Sequence, residues 1–432
     1  MKVLVTGASG FVGAKIVSDL LKLGHQVTCC VRDTDYTQRL FPKAEILYCD
    51  FIHDTKIENW LPRLKNINVV INTVGIFYHP RKKIIWAIHY DTPHALFDAC
   101  VISGVKKIIH ISALGVDYYD TEYARSKKAI DDYLLTLSIP VIILRPSLIY
   151  GNGSYGGTSL FRGLVGLPVI IPLPGHGQQK LQPILCADLS IAISNLMTKP
   201  TEGTFILSAV SKEIISIKEI LMTLREWLGF SQAYLVAIPK IIIRIVCLVG
   251  DLIPNTTMNS TAYKMLMQNN ISNPIDTNKF IEIIQFQPLN FNSGAFHEPS
   301  TVQDRWHAKL YFIKPLLQIS LALMWLFAGL TSLFFFPKTN SYLLLEKVGF
   351  AQQIQPLILY SASFLDIFIG LALLFNIQIK KICLLQIIVM LIYMTIISFF
   401  LPYLWLDPFG AILKNIPLLI AIYMLYIMES KR

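Results

Sequence analysis

The sequence predicts an α/β fold, in which a doubly wound parallel sheet is followed by a transmembrane domain of four helices. The first observation behind this prediction is that short β-branched runs alternate with helical patterns through the first part of the chain. The second is that hydrophobic residues concentrate after Phe312. Over 432 residues, hydrophobic types make up 53% and charged types only 15%, a balance that indicates membrane spans. We therefore expect two domains, at 1–300 and 301–432.

The first domain opens with strand-like segments that are separated by helical patterns. These segments are Val3–Val5, Gln26–Val31, Glu45–Tyr48, Val69–Asn72, Lys107–Ser112 and Val141–Arg145. Strands that alternate with helices form a parallel sheet with helices on both faces. Gly and Pro become frequent from Gly151. This change of composition predicts a cofactor part at about 1–150 and a substrate part at about 151–300.

A glycine-rich loop follows the first strand directly and opens the first helix. Glycines at its positions allow a sharp turn, close approach to a pyrophosphate and close packing of helix on strand, while the helix N-terminus offers free N–H groups. This context predicts a dinucleotide site on a Rossmann-type fold. The expected contacts are Thr6, Gly7, Ser9, Gly10, Phe11, Val12 and Gly13.

The end of the second strand bears on which dinucleotide binds. Arg32 stands where an NAD-binding fold usually has an acidic residue. A guanidinium there can bind a 2′-phosphate, whereas a carboxylate would repel it. Arg32 therefore favours NADP, and the adjacent Asp33 leaves NAD open.

Tyr123 and Lys127 lie four residues apart on one predicted helical face, and Ser112 ends a strand eleven residues earlier. A phenol with a pKa near ~10 is a poor base, and a nearby ammonium lowers that pKa. Ser112 can hydrogen-bond a substrate oxygen. We therefore expect Tyr123 to be the general acid/base, with Lys127 as its partner and as a further cofactor contact.

Several stretches in the same order resemble the extended and atypical short-chain dehydrogenase/reductases. They are TGASGFVG at 6–13, Cys49-Asp50-Phe51, Asn72-Thr73-Val74-Gly75, HISALG at 110–115, YARSK at 123–127 and RPSLIYG at 145–151. The resemblance implies that Asp50 and Phe51 lie near the adenine. It also implies that Asn72, Thr73, Val74 and Gly75 flank the cofactor, and that Pro146 and Ser147 lie near the nicotinamide. The nearest branch resembles the NADPH-binding accessory subunit of respiratory complex I.

His89 departs from this family pattern. Many relatives carry Asn at this position, where the chain reads His89-Tyr90-Asp91-Thr92. A proton-relay role of that Asn is therefore not carried over. We expect His89 to pack or cap a helix, with a relay role as the alternative.

The second domain contains four apolar segments of membrane-spanning length, at about 313–336, 354–376, 382–401 and 409–428. Its sequence resembles DoxX-like membrane domains through FLDIFIG at 364–370 and LWLDPFG at 404–410. Asp366 falls within a span, where a charge is costly, so we expect it to face the bundle interior.

The basic residues around these spans predict their orientation. Three groups fall on one side of four spans, and they are Arg305, Lys309 and Lys314, then Lys380 and Lys381, then Lys431 and Arg432. The positive-inside rule then predicts a multi-pass protein of the cell membrane, with the N-terminal domain and the C-terminus cytoplasmic.

Two segments between the domains are less regular. Tyr234–Pro254 is apolar but carries Lys240, Arg244 and Asp251, which predicts a helix of the substrate region or one lying on the membrane surface. Residues 286–305 are rich in Asn, Gln, Pro and Ser and predict a linker.

Charge and cysteine usage exclude other classes of function. The net charge is +10, but Lys and Arg are scattered in twos and threes, which argues against nucleic-acid binding. The seven cysteines form no CxxC pair and no metal-like spacing, so we expect no metal site.

Together these features predict a membrane-anchored NAD(P)H-dependent oxidoreductase. Its expected substrate is a hydrophobic or membrane-associated carbonyl, alcohol or quinone-like molecule, and its expected partners are the lipid membrane and a further copy or a membrane complex. The alternatives are an NADP-binding assembly or redox-sensing module without turnover, and a nucleotide-sugar epimerase or dehydratase.

Overall fold

The computed structural model describes residues 1–153, 156–200, 203–252, 256–408, 410 and 412–429. The chain divides into two compact units, Met1–Lys309 and Leu310–Arg432. Each unit has its own buried core.

The first unit is built on a seven-stranded sheet. Its strands are β1 (Lys2–Thr6), β2 (Gln26–Val31), β3 (Glu45–Tyr48), β4 (Val69–Asn72), β5 (Lys107–Ile111), β6 (Val141–Leu144) and β11 (Thr204–Leu207). The strand order is β11-β6-β5-β4-β1-β2-β3, and every neighbouring pair is parallel. The predicted doubly wound parallel sheet is therefore confirmed, and the strand order reverses between β1 and β4, where such folds bind ligands.

Helices cover both faces of this sheet. They are α1 (Phe11–Lys22), α2 (Thr34–Leu40), α3 (Lys82–Trp86), α4 (Thr92–Ile102), α5 (Glu122–Leu134) and α7 (Cys186–Thr198), and a π-helical turn (Ala87–Asp91) joins α3 to α4. Val3 and Val5 of β1 are buried in one hydrophobic cluster and Leu4 in the other. Alternate residues of a strand point to opposite faces, so both faces of the sheet are buried at β1, and its three central residues are all apolar for this reason.

The remaining elements of the first unit form a smaller subdomain with a third hydrophobic cluster. Its strands pair as β7 (Ile149–Tyr150) with β10 (Ile184–Leu185), β8 (Ile170–Pro174) with β13 (Tyr234–Ile238), and β9 (Lys180–Leu181) with β12 (Ile215–Ser216). Its helices are α6 (Gly157–Val165), α8 (Ile217–Trp227), α9 (Lys240–Gly250), α10 (Ser260–Leu266) and α12 (Phe291–Ala295). Helix α11 (Pro274–Ile284) instead packs on the sheet, because its Phe280 and Ile284 are buried in the same hydrophobic cluster as Val3.

The linker predicted at 286–305 is instead folded. Phe291 is buried against Tyr150, with ring centroids 4.6 Å apart. The indole N–H of Trp227 donates to the carbonyl of Glu298 at 2.8 Å. Composition misleads here because a few apolar anchors, spaced among polar residues, are enough to hold the segment on the subdomain.

The second unit carries the predicted apolar helices. The elements are α13 (Val302–Leu330) with a π-helical turn (Thr331–Phe335), α14 (Lys338–Lys347), α15 (Gln355–Leu374), α16 (Ile379–Phe400) and α17 (Asn415–Met428). Three helices of the described chain are long and apolar enough to cross a membrane: Val302–Phe335, Gln355–Leu374 and Ile379–Phe400.

The fourth predicted span, 409–428, is only partly realised. Its helix α17 has 14 residues, which gives about 21 Å against the ~30 Å of a bilayer core. Residues 409 and 411 lie outside the described residues, and Gly410 has a φ of +63°. A positive φ is incompatible with a helix, so α17 begins only at Asn415.

Small residues let the helices of the second unit approach closely. A side chain on Gly370 would come within 2.9 Å of the carbonyl of Ala322, and one on Gly329 within 2.6 Å of the carbonyl of Ser363. Close backbone approach of this kind is typical of helices that pack in membranes. Asp366 has a buried carboxylate oxygen without a hydrogen-bond partner among the described residues, as expected of a residue that faces the bundle.

Candidate active site

The glycine loop after β1 has the geometry of a phosphate-binding turn. Gly7 has a φ of +69°, and its carbonyl lies 2.2 Å from where a Cβ on Gly13 would stand. The N–H of Gly10 donates to that carbonyl at 2.9 Å. Gly10 is the N-cap of α1, and no described side chain caps the helix there. The turn thus presents backbone N–H groups and the positive end of the helix dipole.

Three of the predicted cofactor contacts form the support of this loop. The Thr73 hydroxyl donates to the carbonyl of Thr6 at 2.7 Å, and the Thr6 hydroxyl donates to Oδ1 of Asn72 at 2.7 Å. These bonds join the ends of β1 and β4 beside the point where the strand order reverses. Direct contact of these side chains with a cofactor stays a prediction.

The acidic and basic residues after β2 have different surroundings. Arg32 is exposed, and Asp33 caps α2 by accepting the N–H of Tyr36 at 3.0 Å. The cap engages a carboxylate oxygen of Asp33, while Arg32 extends into solvent. Phe51, predicted near the adenine, is buried with its ring 5.6 Å from that of Trp60, in an edge-on arrangement.

Tyr123 and Lys127 share one face of α5, which Thr121 caps by accepting the N–H of Ala124. The Lys127 ammonium donates to the carbonyl of Ile111 at 2.7 Å. It also lies 3.6 Å from where a Cβ on Gly75 would stand. The structure therefore brings the Tyr–Lys pair, the end of β5 and the loop after β4 together.

Ser112 belongs to a buried network that the sequence analysis missed. Its hydroxyl donates to Oδ2 of Asp131 at 2.8 Å, and the same oxygen accepts from Nε and Nη2 of Arg145, both at 2.8 Å. Asp131 follows Lys127 by four residues on α5, so the helical spacing is the signal that points to it. The Ser112 hydroxyl proton points to this carboxylate, so towards any further group the hydroxyl can only accept a hydrogen bond.

His89 is buried in the π-helical turn and has two partners. Its Nε2 accepts the N–H of Ile76 at 3.1 Å, and its Nδ1 lies 2.9 Å from the hydroxyl of Ser126. A neutral imidazole that accepts at Nε2 carries its proton at Nδ1, so it donates to Ser126. The Ser126 hydroxyl in turn donates to the carbonyl of Tyr123 at 3.0 Å. This arrangement supports the packing role that we predicted for His89.

Pro146 and Ser147 lie beside a residue far away in sequence. The Ser147 hydroxyl donates to the carbonyl of Asn270 at 2.8 Å, and the Asn270 amide donates to the carbonyl of Leu114 at 2.9 Å. The N–H of Leu114 donates to the carbonyl of Pro146 at 2.8 Å. Asn270 thus joins the loops after β5 and β6, and no local sequence signal identifies it.

Burial dominates the proton affinities at this site. Desolvation, with the negative charge of Asp131, raises the pKa of Tyr123 to about 12. Desolvation also lowers the pKa of Lys127 to about 8 and raises that of Asp131 to about 6, although Arg145 opposes the latter shift. Tyr123 is therefore protonated at neutral pH and is placed to donate a proton, which differs from the lowered phenol pKa that we expected.

The lowered pKa of Lys127 predicts that any activity that depends on its positive charge is lost at alkaline pH. As pH rises through about 8, Lys127 loses its charge, and we expect kcat/KM to fall about tenfold per pH unit. In the unfolded chain Lys127 has its ordinary pKa of 10.5, against about 8 in the folded protein. Between these two pH values the unfolded chain binds more protons than the folded protein, so this residue makes the free energy of unfolding rise with pH. The arginine of the Lys127→Arg protein keeps its charge, so the pH profile of its kcat/KM should not fall above this pH. The same fall in that variant would mean that the Lys127 charge is not responsible for it.

Comparison with family models assigns both units. Residues 3–199 match the NAD dependent epimerase/dehydratase family, and residues 322–423 match the DoxX-like family. The first match includes the glycine loop, the Tyr–Lys pair and the strands of the sheet other than β11.

Curated relatives resemble the N-terminal region. NADH dehydrogenase (ubiquinone) 1 alpha subcomplex subunit 9, a mitochondrial protein, is 26% identical in Rattus norvegicus over 204 residues, which are 45% of this chain and 53% of that protein. The Arabidopsis thaliana counterpart is 27% identical over 198 residues, 44% of this chain and 48% of its own. The chain thus spans about half the length of these relatives.

Solved structures share the fold of the first unit. The UDP-glucose 4-epimerase of Thermus thermophilus, in complex with NAD, has a TM-score of 0.54 at 21% identity, covering 68% of this chain and 96% of its own. The UDP-glucuronic acid 4-epimerase of Bacillus cereus, in complex with UDP-glucuronic acid and NAD, has a TM-score of 0.53 at 18% identity, covering 72% and 100%. The chain therefore joins an N-terminal domain that is similar to the NAD dependent epimerase/dehydratase family to a C-terminal domain that is similar to the DoxX-like family.

Proposed function

We propose that the chain is a membrane-anchored, NADP-dependent oxidoreductase that acts on a hydrophobic carbonyl, alcohol or quinone-like substrate. The observation that carries this proposal is the placement of Tyr123 and Lys127 beside the loop of Gly75, at the edge of the sheet that holds the glycine turn. The span-length apolar helices of the same chain support a substrate that resides in or near a membrane.

Each residue of the site has a proposed role. The turn at Gly7, Gly10 and Gly13 would hold the pyrophosphate of the dinucleotide, and when bound this cofactor supplies or accepts a hydride. The Tyr123 hydroxyl, protonated at neutral pH, gives its proton to the substrate oxygen during reduction. Lys127 keeps a positive charge beside the reacting groups, and Ser112 orients the substrate oxygen.

The preference for NADP rests on the exposed side chain of Arg32. We expect Arg32→Ala to weaken NADP binding about tenfold, the contribution of one charge-assisted hydrogen bond, and to leave NAD binding unchanged. Titrations of both nucleotides by isothermal calorimetry measure this difference. Arg39→Ala, an exposed arginine on α2, is the matched control. An equal loss for NADP and NAD would contradict the role of Arg32.

The oxidoreductase proposal is tested with purified full-length protein in lipid nanodiscs. The protein is offered NADPH with a panel of long-chain aldehydes, isoprenoid carbonyls and quinones, and NADPH consumption is followed by absorbance. We expect consumption with at least one apolar substrate, and less with its short-chain analogue. Tight NADPH binding without turnover on the whole panel would contradict the proposal.

One observation favours a binding module as the second candidate. The Ser112 proton is directed to Asp131 rather than to the open site, so the hydroxyl donates to a substrate only after this bond is exchanged. In this case the domain would hold NADP and support assembly or redox sensing, possibilities that the likeness to a subunit of NADH dehydrogenase also raises. Function of the Tyr123→Phe protein in cells would favour this candidate.

A nucleotide-sugar epimerase or dehydratase is the third candidate, because the matched family includes these activities in its description. Such enzymes oxidise and re-reduce their substrate on a retained cofactor. Stoichiometric NAD that remains after purification and dialysis would favour this candidate over the oxidoreductase.

We also propose that the protein is a multi-pass protein of the cell membrane with the N-terminal domain and the C-terminus cytoplasmic. The basic residues at Lys380 and Lys381 between two spans support this orientation. This orientation requires four membrane crossings, including one by the short α17. An antibody is therefore expected to bind a C-terminal epitope only after the cell membrane has been permeabilised. Reaction on intact cells would mean three crossings.

A further inference from the structure

Helix α9 is exposed in an unusual way for a helix of a soluble domain. Along its eleven residues only Cys247 and Gly250 are buried. Six large apolar side chains of α9 are exposed, and so is Leu252, which lies two residues after the end of the helix. The six are Ile241, Ile242, Ile245, Val246, Leu248 and Val249. Single exposed apolar residues are ordinary, but a contiguous apolar face marks an interaction surface.

The polar residues of α9 are segregated from this apolar face. Cys247 and Gly250 lie three residues apart and form the narrow stripe that packs on the subdomain. Lys240 and Arg244 lie four residues apart, so they share one edge of the helix between that stripe and the apolar face. A basic edge beside a broad apolar face is typical of a helix that lies in the plane of a membrane interface.

The strand before α9 extends the apolar surface. Strand β13 leads through Pro239 directly into α9, and it pairs with β8. Tyr234 and Val236 of β13 are exposed, and so is Ile170 of β8, which is the partner of Tyr234 in the register. The surface therefore includes the outer side of a two-stranded sheet as well as a helix.

We propose that the β13–α9 surface, residues 234–252, docks on an anionic lipid bilayer. The chain itself carries span-length apolar helices, the first of which begins at Val302, so the N-terminal domain is held at a membrane. The positive charges of Lys240 and Arg244 complement anionic headgroups, and the apolar face of α9 fits the boundary between headgroups and acyl chains. The sequence left a substrate-region helix and a membrane-surface helix open, and the exposure of α9 favours the second.

The docked helix ends beside the candidate site. The hydroxyl of Tyr78 donates to the carbonyl of Asp251, the residue that follows α9, at 2.9 Å. The neighbouring Phe77 contacts Tyr123, with ring centroids 5.0 Å apart. This part of the inference rests on the proposed function: a membrane-borne substrate would reach Tyr123 along the wall that Phe77 and Tyr78 form.

The test uses the full chain in nanodiscs and measures lipid contact rather than activity. Ile245→Cys is labelled with the environment-sensitive dye NBD, and Ile102→Cys, another exposed isoleucine of the same unit (64% against 54% exposed), is the matched control. The seven native cysteines are buried and react slowly. In nanodiscs of phosphatidylcholine and phosphatidylglycerol with a doxyl-labelled lipid, we expect quenching at position 245 and none at position 102.

A second pair of measurements tests the basic edge. Each basic residue near an anionic surface changes bilayer occupancy about fivefold. The double substitution Lys240→Gln with Arg244→Gln should therefore lower the quenching at position 245. Nanodiscs of phosphatidylcholine alone, which lack the anionic lipid, should lower it as well. Val249→Cys, on the same face, should repeat the result.

Equal quenching at positions 245 and 102 would overturn the proposal. Two further outcomes would also overturn it. A blue-shifted dye that the lipid quencher does not reach would mean that another part of this chain covers α9, and energy transfer between labels on two chains would mean that a second copy does. Because none of these signals requires turnover, an inactive protein that shows lipid quenching would contradict only the proposed function.

Discussion

Replacement of Tyr123 by phenylalanine is expected to lower the rate of NADPH-dependent reduction by about 10²–10⁴-fold, the usual contribution of a positioned general acid or base. The phenol is protonated at neutral pH and is suited to give a proton to the substrate, since burial raises its pKa to about 12. NADPH affinity should be unchanged, because the glycine turn and Lys127 remain in place.

The comparison that isolates this role is made on the same helix. Tyr133 also lies on α5, and its hydroxyl bonds to Asp98. Tyr133→Phe removes a hydroxyl from α5 without touching the site, so its turnover in single-turnover stopped-flow measurements should match that of the unchanged protein. A Tyr123→Phe protein with normal turnover would refute the assignment of the general acid.

Replacement of Gly13 by alanine is expected to weaken dinucleotide binding on the order of 100-fold. The added Cβ would lie 2.2 Å from the carbonyl oxygen of Gly7 and 2.8 Å from Oγ1 of Thr73. Both neighbours are held, the first by the turn and the second by its bond to Thr6. The backbone of the turn must therefore shift, and it would lose the N–H positions that suit a pyrophosphate.

A graded series of glycine variants makes this prediction sharper. At Gly10 the added Cβ would stand 3.1 Å from the Gly7 carbonyl, and at Gly157 it would meet nothing within 4 Å. Nucleotide affinity measured by equilibrium dialysis should therefore fall most for Gly13→Ala, less for Gly10→Ala and not at all for Gly157→Ala. Equal affinities across the series would mean that the turn does not hold the nucleotide.

Local patterns in the sequence were sufficient for six of the seven strands of the sheet, whereas the edge strand β11 was not predicted. Alternating strand and helix signals predicted the parallel sheet, because each βαβ unit is a local pattern. The glycine turn and the Tyr123–Lys127 spacing are local as well. Since carboxyl ends of parallel strands meet at one edge, these separate motifs converge in the fold.

Features that depend on distant contacts were not predictable in this way. Ser112 and Arg145 meet at Asp131 because β5 and β6 are neighbours in the sheet and α5 crosses over them. Asn270 reaches Leu114 across 156 positions of sequence. The segment 286–305 has the composition of a linker, yet Phe291 is buried in the core of the subdomain.

The sequence by itself determined the parallel sheet, the position of the glycine turn, the Tyr–Lys pair and the apolar character of the C-terminal region, because each follows from periodicity, spacing or composition within a few turns of chain. Only the tertiary structure decided that the Ser112 proton points to Asp131, that Tyr123 is protonated by virtue of its burial, and that α9 keeps an apolar face uncovered. Proton affinities and exposure depend on what surrounds a side chain in three dimensions, and those surroundings come from residues far apart in the chain.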